Sequence, residues 1–309
     1  MKKREKFLTN CPICRSKKTT KLYKSKIEES NPYTKFLLEK VVDKRKLINC
    51  DMKLCLNCLL CFFDYRYTQK ELDRLYSTGY NKKRSAYIEG YKKSFDKKKE
   101  SLEFRSNLIR KLLVLKSYSK FREWKEKAKI LDFGGWHGRN IPDIAKRTEK
   151  YVLDKSNHKI DPNIIKLDEL INNKFDLIMS THVFEHLVDP LKILRNLSKS
   201  LKRDGLIYLE LPADIFGLIR KPPIYEHINF FSRNSIKNLA YMANLEILYL
   251  KIDKYPYAYH DTIAYIVVLQ KSREIRKIKN NLVIKIFNIL KDLQNYINLK
   301  IRKNYSFKI

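Results

Sequence analysis

The chain has 309 residues, and its 44% hydrophobic content is enough to bury one large domain or two ordinary ones, which excludes a largely disordered protein. Lys and Arg number 66 against 34 Asp and Glu, and the formal charge of +32 favours anionic partners such as nucleic acid, phosphorylated metabolites or acidic lipid. Because Lys, Ile, Asn and Tyr are abundant while only seven glycines occur, the compositional bias of an AT-rich genome also explains much of this charge.

Neither the start nor the end of the chain has the pattern of a targeting segment. The basic start "MKKREKFLTNCP" is not followed by the apolar stretch of about 7 to 15 residues that a secretory signal requires. The most apolar late segment, "NLVIKIFNIL", contains Lys285 and is shorter than the roughly 20 residues that span a bilayer. We therefore expect a cytoplasmic protein, in which cysteines are thiols or metal ligands rather than disulfides.

Two C-x-x-C pairs near the start favour a structural zinc site, because each pair presents two thiolates to one tetrahedral ion. The pairs are 40 residues apart, which is longer than in the commonest zinc ribbons, so ordinary reduced cysteines remain the alternative. Cys50 and Cys61 are spare, and Cys61 could also replace Cys55 as the partner of Cys58 in a shifted pair. The predicted zinc ligands are Cys11, Cys14, Cys55 and Cys58.

The charged segment "SAYIEGYKKSFDKKKESLEFRSNLIRKLLVLKSY" has leucines at helical spacing and predicts a helical linker over residues 81–127, after a leader module at 1–80. From residue 128 to 271, short apolar runs alternate with amphipathic stretches. The runs "KILDF", "YVLD", "NIIKL", "FDLIMST", "LIYLELP", "LEILYLKI" and "TIAYIVVLQ" predict strands, and "RNIPDIAKR", "DPLKILRNLSKSL" and "NSIKNLAYMA" predict helices. This alternation indicates a mostly parallel sheet covered on both faces.

The last two predicted strands are separated only by "DKYPYAYHD", which leaves no room for a helix, so they should pair as an antiparallel hairpin. Residues 272–309 then read as a basic amphipathic helix. Its apolar stripe could lie on an anionic membrane, although such a helix more often packs on its own domain or on a second subunit. The stripe consists of Ile275, Ile278, Leu282, Ile286, Ile289 and Leu293.

The stretch "LDFGGWHGRN" places three of the seven glycines between a predicted strand and a predicted helix, the context of a nucleotide-binding loop. Asp132 closes that strand, and Asp154 closes the next one 22 residues later, where a carboxylate can accept hydrogen bonds from the ribose of an adenosine-type cofactor. On spacing alone, a surface turn followed by an incidental Asp is the alternative.

Three segments, "ILDFGGWHGRN", "FDLIMSTHVFEHLVDPLKILRNLSKSLKRDGLIYLELP" and "YEHINFFSRNSIKNLAYMANLEI", together resemble the class I S-adenosylmethionine-dependent methyltransferases, in particular the subgroup that modifies small molecules and glycans. The cysteine segments "CPIC" and "CLNCLLCFFDYRYTQKELDRLYSTGY" look like the zinc-binding leader of some of these enzymes, including sugar C-methyltransferases. The resemblance covers residues 11–80 and 128–270. It implies an α/β fold, a Rossmann-like seven-stranded sheet with an antiparallel last strand, plus a small N-terminal zinc-binding module and a C-terminal helix.

The resemblance also implies S-adenosylmethionine as cofactor and zinc as a structural ion. Two positions depart from the family's pattern: Trp136 replaces the middle glycine of the loop, and Leu59 stands where the leader has a glycine. In the loop, we expect Gly135 to absorb the unusual backbone geometry in place of Trp136. The matching cofactor residues are Asp132, Gly134, Gly135 and Gly138 for the loop, Asp154 for the ribose, Asp168 for the adenine, and Ser180 and His182 for the methionine part.

Methyl transfer requires an aligned nucleophile and, for an oxygen or acidic carbon, a base that removes a proton. His227 is the predicted base, with a purely orienting role as the alternative, and Tyr225 and Glu226 are weaker candidates. The Glu185-His186 pair more often fixes a loop than performs chemistry. The predicted acceptor is a small molecule or a sugar, free or attached to a nucleotide or lipid.

Nucleic acid is a disfavoured acceptor. The fourth strand is not followed by an Asn/Asp-Pro-Pro-aromatic stretch or by a Pro-Cys nucleophile, the patterns that serve base methylation. Two other functions stay open at this level: a non-catalytic binding protein with the methyltransferase fold, and a basic nucleic-acid-binding protein with a zinc module. The sequence predicts no particular oligomeric state.

Overall fold

The computed structural model describes residues 8–24, 41–42, 50–76, 94–115, 126–138, 141–156, 160–216, 226–257, 260–272 and 282–301. The candidate base Tyr225 and the helical positions Ile275 and Ile278 lie outside these residues.

A small antiparallel sheet carries the cysteines. Its strands are β1 (Thr19–Lys24), β2 (Asp51–Cys55), β3 (Cys61–Phe63) and β9 (Asn229–Phe230), in this order. The helix α1 (Gln69–Tyr76) follows β3. Because β9 comes from far along the chain, the cysteine module shares a sheet with the segment that contains His227.

The larger sheet has seven strands: β4 (Lys127–Phe133), β5 (Arg147–Leu153), β6 (Ile164–Lys166), β7 (Phe175–Thr181), β8 (Leu201–Pro212), β10 (Leu245–Tyr257) and β11 (His260–Lys271). Their order is β10-β11-β8-β7-β4-β5-β6. Strands β4 to β8 pair in parallel, while β11 is antiparallel to both of its neighbours. The predicted Rossmann-like sheet with an antiparallel last strand is confirmed.

Four further helices belong to the described chain: α2 (Ser94–Leu115), α3 (Pro190–Ser200), α4 (Arg233–Met242) and α5 (Leu282–Ile301). Two of them begin at clear caps. The Asp189 carboxylate accepts a hydrogen bond from the backbone N–H of Lys192, with Pro190 at the first helical position, and Ser232 forms a capping box with Ser235.

The helix predicted from "RNIPDIAKR" is not observed, since residues 141–146 are not helical and β5 begins at Arg147. Pro142 supplies no backbone N–H and disfavours a helical conformation at Ile141. A segment this short also cannot offset the cost of nucleating a helix. Ile141 and Ile144 are instead buried against the sheet.

The helix α5 packs on its own domain, against β10, β11 and α4. Asp292 on its buried side is 2.7 Å from the Arg233 guanidinium and accepts a hydrogen bond from the Tyr265 hydroxyl at 3.1 Å. The opposite side exposes Ile284, Ile286, Phe287, Leu290, Ile297 and Ile301. Within the described ranges, no helix combines the length and apolarity needed to cross a membrane.

Candidate functional site

The glycine loop between β4 and β5 approaches its surroundings too closely for side chains. Gly134 and Gly138 have φ values of +73° and +69°, in the left-handed region that favours glycine. A Cβ atom on Gly134 would lie 2.5 Å from Val183 Cγ2, and one on Gly135 would lie 2.1 Å from Asp132 Cγ. The backbone N–H of Gly134 donates to Leu153 O at 2.9 Å and fixes the loop to β5.

Trp136 itself adopts a left-handed conformation, with φ +51°, whereas Gly135 does not. The expectation that Gly135 absorbs the unusual geometry is therefore wrong, and the strain rests on a bulky residue. The backbone N–H of Trp136 donates to Asp154 Oδ2 at 2.9 Å, and the partly exposed indole lies 4.0 Å from the His137 ring between centroids. The loop and the predicted ribose carboxylate are thus joined directly.

Asp132 and Ser180 are buried polar groups that face the same edge of the sheet. Neither oxygen of the Asp132 carboxylate has a hydrogen-bond partner within the described chain, and the same is true of Ser180 Oγ. Burial raises the pKa of Asp132 to about 7, assisted by the charges of Asp154 and Glu210 and opposed by that of Arg105. Such groups need an explanation, and a ligand with hydrogen-bond donors would supply one.

We expect Asp132→Asn to flatten the dependence of stability on pH. Between about pH 4 and 7 the folded protein keeps a proton that the unfolded chain loses, so the free energy of unfolding falls by at most about 4 kcal/mol as the pH rises through that range. Urea unfolding at several pH values checks this. Parallel pH profiles for the two proteins would contradict it.

The other predicted cofactor residues lie on neighbouring strands. Asp154 follows β5, and its Oδ1 accepts hydrogen bonds from the N–H and hydroxyl of Ser156 at 2.8 and 2.5 Å. Asp168 follows β6 and is exposed. Since β4, β5 and β7 are parallel, their carboxyl ends meet at one edge, as in nucleotide-binding α/β sheets.

Three histidines surround one buried carboxylate beside this edge. Glu185 Oε1 lies 3.6 Å from His182 Nδ1, 3.7 Å from His186 Nε2 and 4.0 Å from His227 Nε2. The His227 Nδ1–H donates to Asp214 Oδ2 at 2.6 Å, and the His186 Nδ1–H donates to the Glu226 carbonyl at 2.9 Å. The structure therefore brings His182, Glu185 and the predicted base together.

The protonation of this histidine cluster, Glu185, His182, His186 and His227, is uneven. Burial lowers the pKa of His186. It also acts to lower the pKa of His227, but the hydrogen bond and charge of Asp214 outweigh it and raise that pKa to about 9. Burial acts to raise the pKa of Glu185, but the neighbouring imidazoles, His186 first, hold it below its usual value. The cluster is thus an ionised carboxylate with a protonated His227 at neutral pH.

A series of hydrogen bonds between buried side chains holds His182 in place. The His182 Nε2 hydrogen-bonds the Tyr255 hydroxyl at 2.8 Å, which donates to Glu210 Oε2 at 2.8 Å. Glu210 in turn accepts two hydrogen bonds from Arg105, at 2.6 and 2.7 Å. Sequence reasoning missed this series of hydrogen bonds and Asp214. A lone carboxylate in the apolar run "LIYLELP" was an available signal for Glu210, whereas nothing in the sequence singled out Arg105.

The four predicted zinc ligands converge. Cys11 Sγ lies 3.5 Å from Cys58 Sγ, Cys14 Sγ lies 3.5 Å from Cys55 Sγ, and the four sulfur atoms are all within 4.8 Å of one another. Tetrahedral zinc at about 2.3 Å from each sulfur requires separations near 3.8 Å, so the donor set fits the ion. Cys61 stands outside this group, which disfavours the shifted pair.

The pKa values of the four thiols shift in different directions. Hydrogen bonding, chiefly with Cys11, lowers the pKa of Cys55 to about 7. Hydrogen bonds from its three partners raise the pKa of Cys58 well above the usual value. Leu59, which stands in the place of a glycine, has φ +60°, so the knuckle needs the left-handed conformation that glycine would adopt freely.

Comparison with known proteins finds one matching family model. Residues 102–250 match the family model described as "Methyltransferase domain". Among solved structures, an S-adenosylmethionine-dependent methyltransferase from Clostridium acetobutylicum aligns at 16% identity over 63% of this chain and 100% of its own, with a TM-score of 0.42. A search of curated protein sequences finds no match.

Two more solved structures are similar at the same low level. The Burkholderia thailandensis 1,6-didemethyltoxoflavin-N1-methyltransferase, with bound 1,6-didemethyltoxoflavin and S-adenosylhomocysteine, shares 12% identity over 56% of this chain and 87% of its own, with a TM-score of 0.37. The Haloferax volcanii complex of the Trm112 activator with a methyltransferase gives 13% identity, 57% and 97% coverage and a TM-score of 0.39. Similarities this low establish no function for this chain.

Proposed function

We propose that this chain, whose residues 102–250 match a methyltransferase-domain model, transfers the methyl group of S-adenosylmethionine to a small-molecule or sugar-type acceptor. The observation that carries the proposal is the glycine loop at the carboxyl ends of the parallel strands, built around the buried Asp132. This is where an open α/β sheet binds nucleotides.

The residues present fit the cofactor. Gly134, Gly135 and Gly138 let the loop backbone pack directly on Val183, Asp132 and Ile164. Asp132 and Ser180 offer buried polar atoms without partners among the described residues. Asp154 Oδ2 holds the Trp136 N–H but has a second lone pair, so it can also accept a hydrogen bond from a ribose hydroxyl. Asp168 and His182 would meet the adenine and methionine ends. When bound, the cofactor supplies an electrophilic methyl group.

We propose that His227 contacts the acceptor and removes its proton. Asp214 fixes the tautomer, with the proton on Nδ1 and Nε2 directed toward Glu185. A pKa of about 9 means that His227 is largely protonated at neutral pH, where it can donate a hydrogen bond to an acceptor oxygen; it becomes a base only after losing that proton.

Calorimetry with S-adenosylhomocysteine tests the cofactor proposal. We expect one site per chain, and no binding by the zinc-loaded protein would overturn the proposal. The Trp136→Gly variant tests whether the indole blocks the loop. If this variant binds S-adenosylhomocysteine and the parent protein does not, the indole fills the cleft and the chain is a non-catalytic binding protein.

His227→Ala is expected to lower turnover about 10²- to 10⁴-fold, the usual contribution of a positioned acid or base. The measurement is release of S-adenosylhomocysteine in the presence of sugar acceptors, free and attached to nucleotide or lipid. Asp214→Asn should lower turnover less and should add no further loss to His227→Ala, because both act through one imidazole. Full turnover by His227→Ala would dispose of the assignment.

The acceptor class rests on the resemblance to glycan-modifying enzymes with a cysteine leader. We further propose that the four cysteines hold structural zinc, because four thiolates leave no open coordination position.

A further inference from the structure

The histidine cluster contains an unusual concentration of hydrogen-bond acceptors. Both oxygens of Glu185 are buried and neither has a hydrogen-bond donor within the described residues. Three ring nitrogens approach Oε1: His182 Nδ1 at 3.6 Å, His186 Nε2 at 3.7 Å and His227 Nε2 at 4.0 Å. All three separations exceed the length of a hydrogen bond, so direct contact does not satisfy the carboxylate.

The tautomers of His186 and His227 direct lone pairs toward the carboxylate. The Glu226 carbonyl can only accept a hydrogen bond, so Nδ1 of His186 carries a proton, which leaves a lone pair on Nε2 of the neutral ring. The Asp214 carboxylate likewise accepts from Nδ1 of His227. Once His227 loses its second proton, three electron-pair donors, the two Nε2 atoms and Glu185 Oε1, face one another.

These second-atom contacts are the pattern of metal-binding histidines, which donate their other N–H to a carboxylate or a backbone carbonyl. The spacing also fits. Metal–nitrogen and metal–oxygen distances near 2.1 Å allow two ligands of one ion to lie at most about 4.2 Å apart, and both distances from Glu185 Oε1 fall below this limit. All three donor atoms lie within 4.8 Å of one another.

We propose that Glu185, His186 and His227 bind one divalent transition-metal ion, such as zinc, cobalt or nickel. Two imidazoles and one carboxylate suit these ions, and three protein ligands leave a coordination position open, as in catalytic rather than structural sites. Binding releases the second proton of His227 to solvent. The site is separate from the four cysteines and has a different donor chemistry.

The role of this ion in catalysis rests on the proposed function, whereas its binding does not. Nε2 of His227 cannot be a ligand and a base at once. With the ion bound, an acceptor oxygen would occupy the open position, and the ion rather than His227 would lower the pKa of an acceptor hydroxyl.

The test titrates the full chain, with zinc in the cysteine site, with Co²⁺ in a calorimeter and an absorption spectrometer. We expect a second ion per chain whose spectrum lacks the sulfur-to-cobalt charge-transfer band. His227→Ala and Glu185→Gln should weaken its binding more than about 100-fold, and Asp214→Asn about 10- to 100-fold through the outer contact. The control His137→Ala, at a histidine outside the cluster, should bind it unchanged.

Retained zinc and an unchanged far-ultraviolet circular dichroism spectrum show that each variant is folded. A single, sulfur-bound ion per chain would overturn the inference, and so would a second ion that the ligand variants bind as tightly as the parent protein. Co²⁺ binding without S-adenosylhomocysteine binding would reject the proposed function and keep the metal site, while the reverse result would reject only the metal site.

Discussion

If the four cysteines hold zinc as proposed, Cys58→Ser is expected to abolish zinc binding and to unfold the small antiparallel sheet. Cys58 is fully buried, and its Sγ lies 3.5 Å from the Sγ of Cys11, which belongs to the other C-x-x-C pair. The ion would hold together two knuckles that the chain separates by 40 residues. Zinc binding in small cysteine modules is worth about 10–16 kcal/mol, so most of the stability of this sheet would depend on it.

Unfolding of the small sheet should also disturb the histidine cluster beside the larger sheet, because β9 connects the two. Phe230 pairs with Cys61 in β3, the Arg66 guanidinium donates to Asn229 Oδ1 at 2.9 Å, and the Ile228 N–H donates to Glu185 O at 2.8 Å. These contacts fix the segment that carries His227. We therefore expect loss of turnover as well as a lower melting temperature.

Cys61→Ser is the matched control, because Cys61 is a buried thiol in the same module but outside the sulfur cluster. It introduces the same buried hydroxyl and should keep the zinc. Metal content and thermal unfolding of the two variants measure the difference. Equal zinc content, or equal loss of melting temperature, would contradict a structural ion at the four cysteines.

The sheet could be predicted from the sequence because its strands are short apolar runs whose spacing fixes their connections. The seven runs correspond to β4 to β8, β10 and β11. The helix predicted over 139–147 is wrong, because its helical periodicity did not indicate that β5 begins as early as Arg147. Antiparallel pairing with each other also extends β10 and β11 to Tyr257 and His260, through residues predicted as a loop.

The candidate site was predictable where its residues follow strands and unpredictable where they meet through space. Asp132 and Asp154 follow from the strand ends. The ring around Glu185 does not, because His227 arrives from a segment 42 residues away and Asp214 from the end of β8. Sequence spacing contains no information about which side chains face one another across such distances.

Arg105→Met is expected to lower the free energy of unfolding by about 3–5 kcal/mol, because it leaves the charge of Glu210 buried without a cation. Arg105 and Glu210 are both almost completely buried, and the guanidinium makes two hydrogen bonds to the carboxylate. Arg105 outweighs the effect of burial and holds the pKa of Glu210 below its usual value. Urea unfolding at pH 7 measures the loss.

Adding Glu210→Gln should restore much of this stability. The amide has no charge to desolvate. Tyr208 donates to Oε1 at 2.7 Å and Tyr255 to Oε2 at 2.8 Å, so the amide oxygen can accept from one of these hydroxyls and the amide NH2 can donate to the other. The surface pair of Arg15 with Asp189, at 2.9 Å, is the control, since Arg15→Met at an exposed position should cost less than about 1 kcal/mol.

The Arg105–Glu210 pair should also affect the histidine cluster, because Glu210 is linked through Tyr255 to His182. If this series of hydrogen bonds only stabilises the fold, the double variant recovers both stability and turnover. If Glu210 also fixes the orientation of His182, stability returns but turnover does not, since the amide donates a hydrogen bond where the carboxylate only accepted one. A loss below 1 kcal/mol for Arg105→Met would show that water or another cation reaches Glu210, and the pair would then have no structural role.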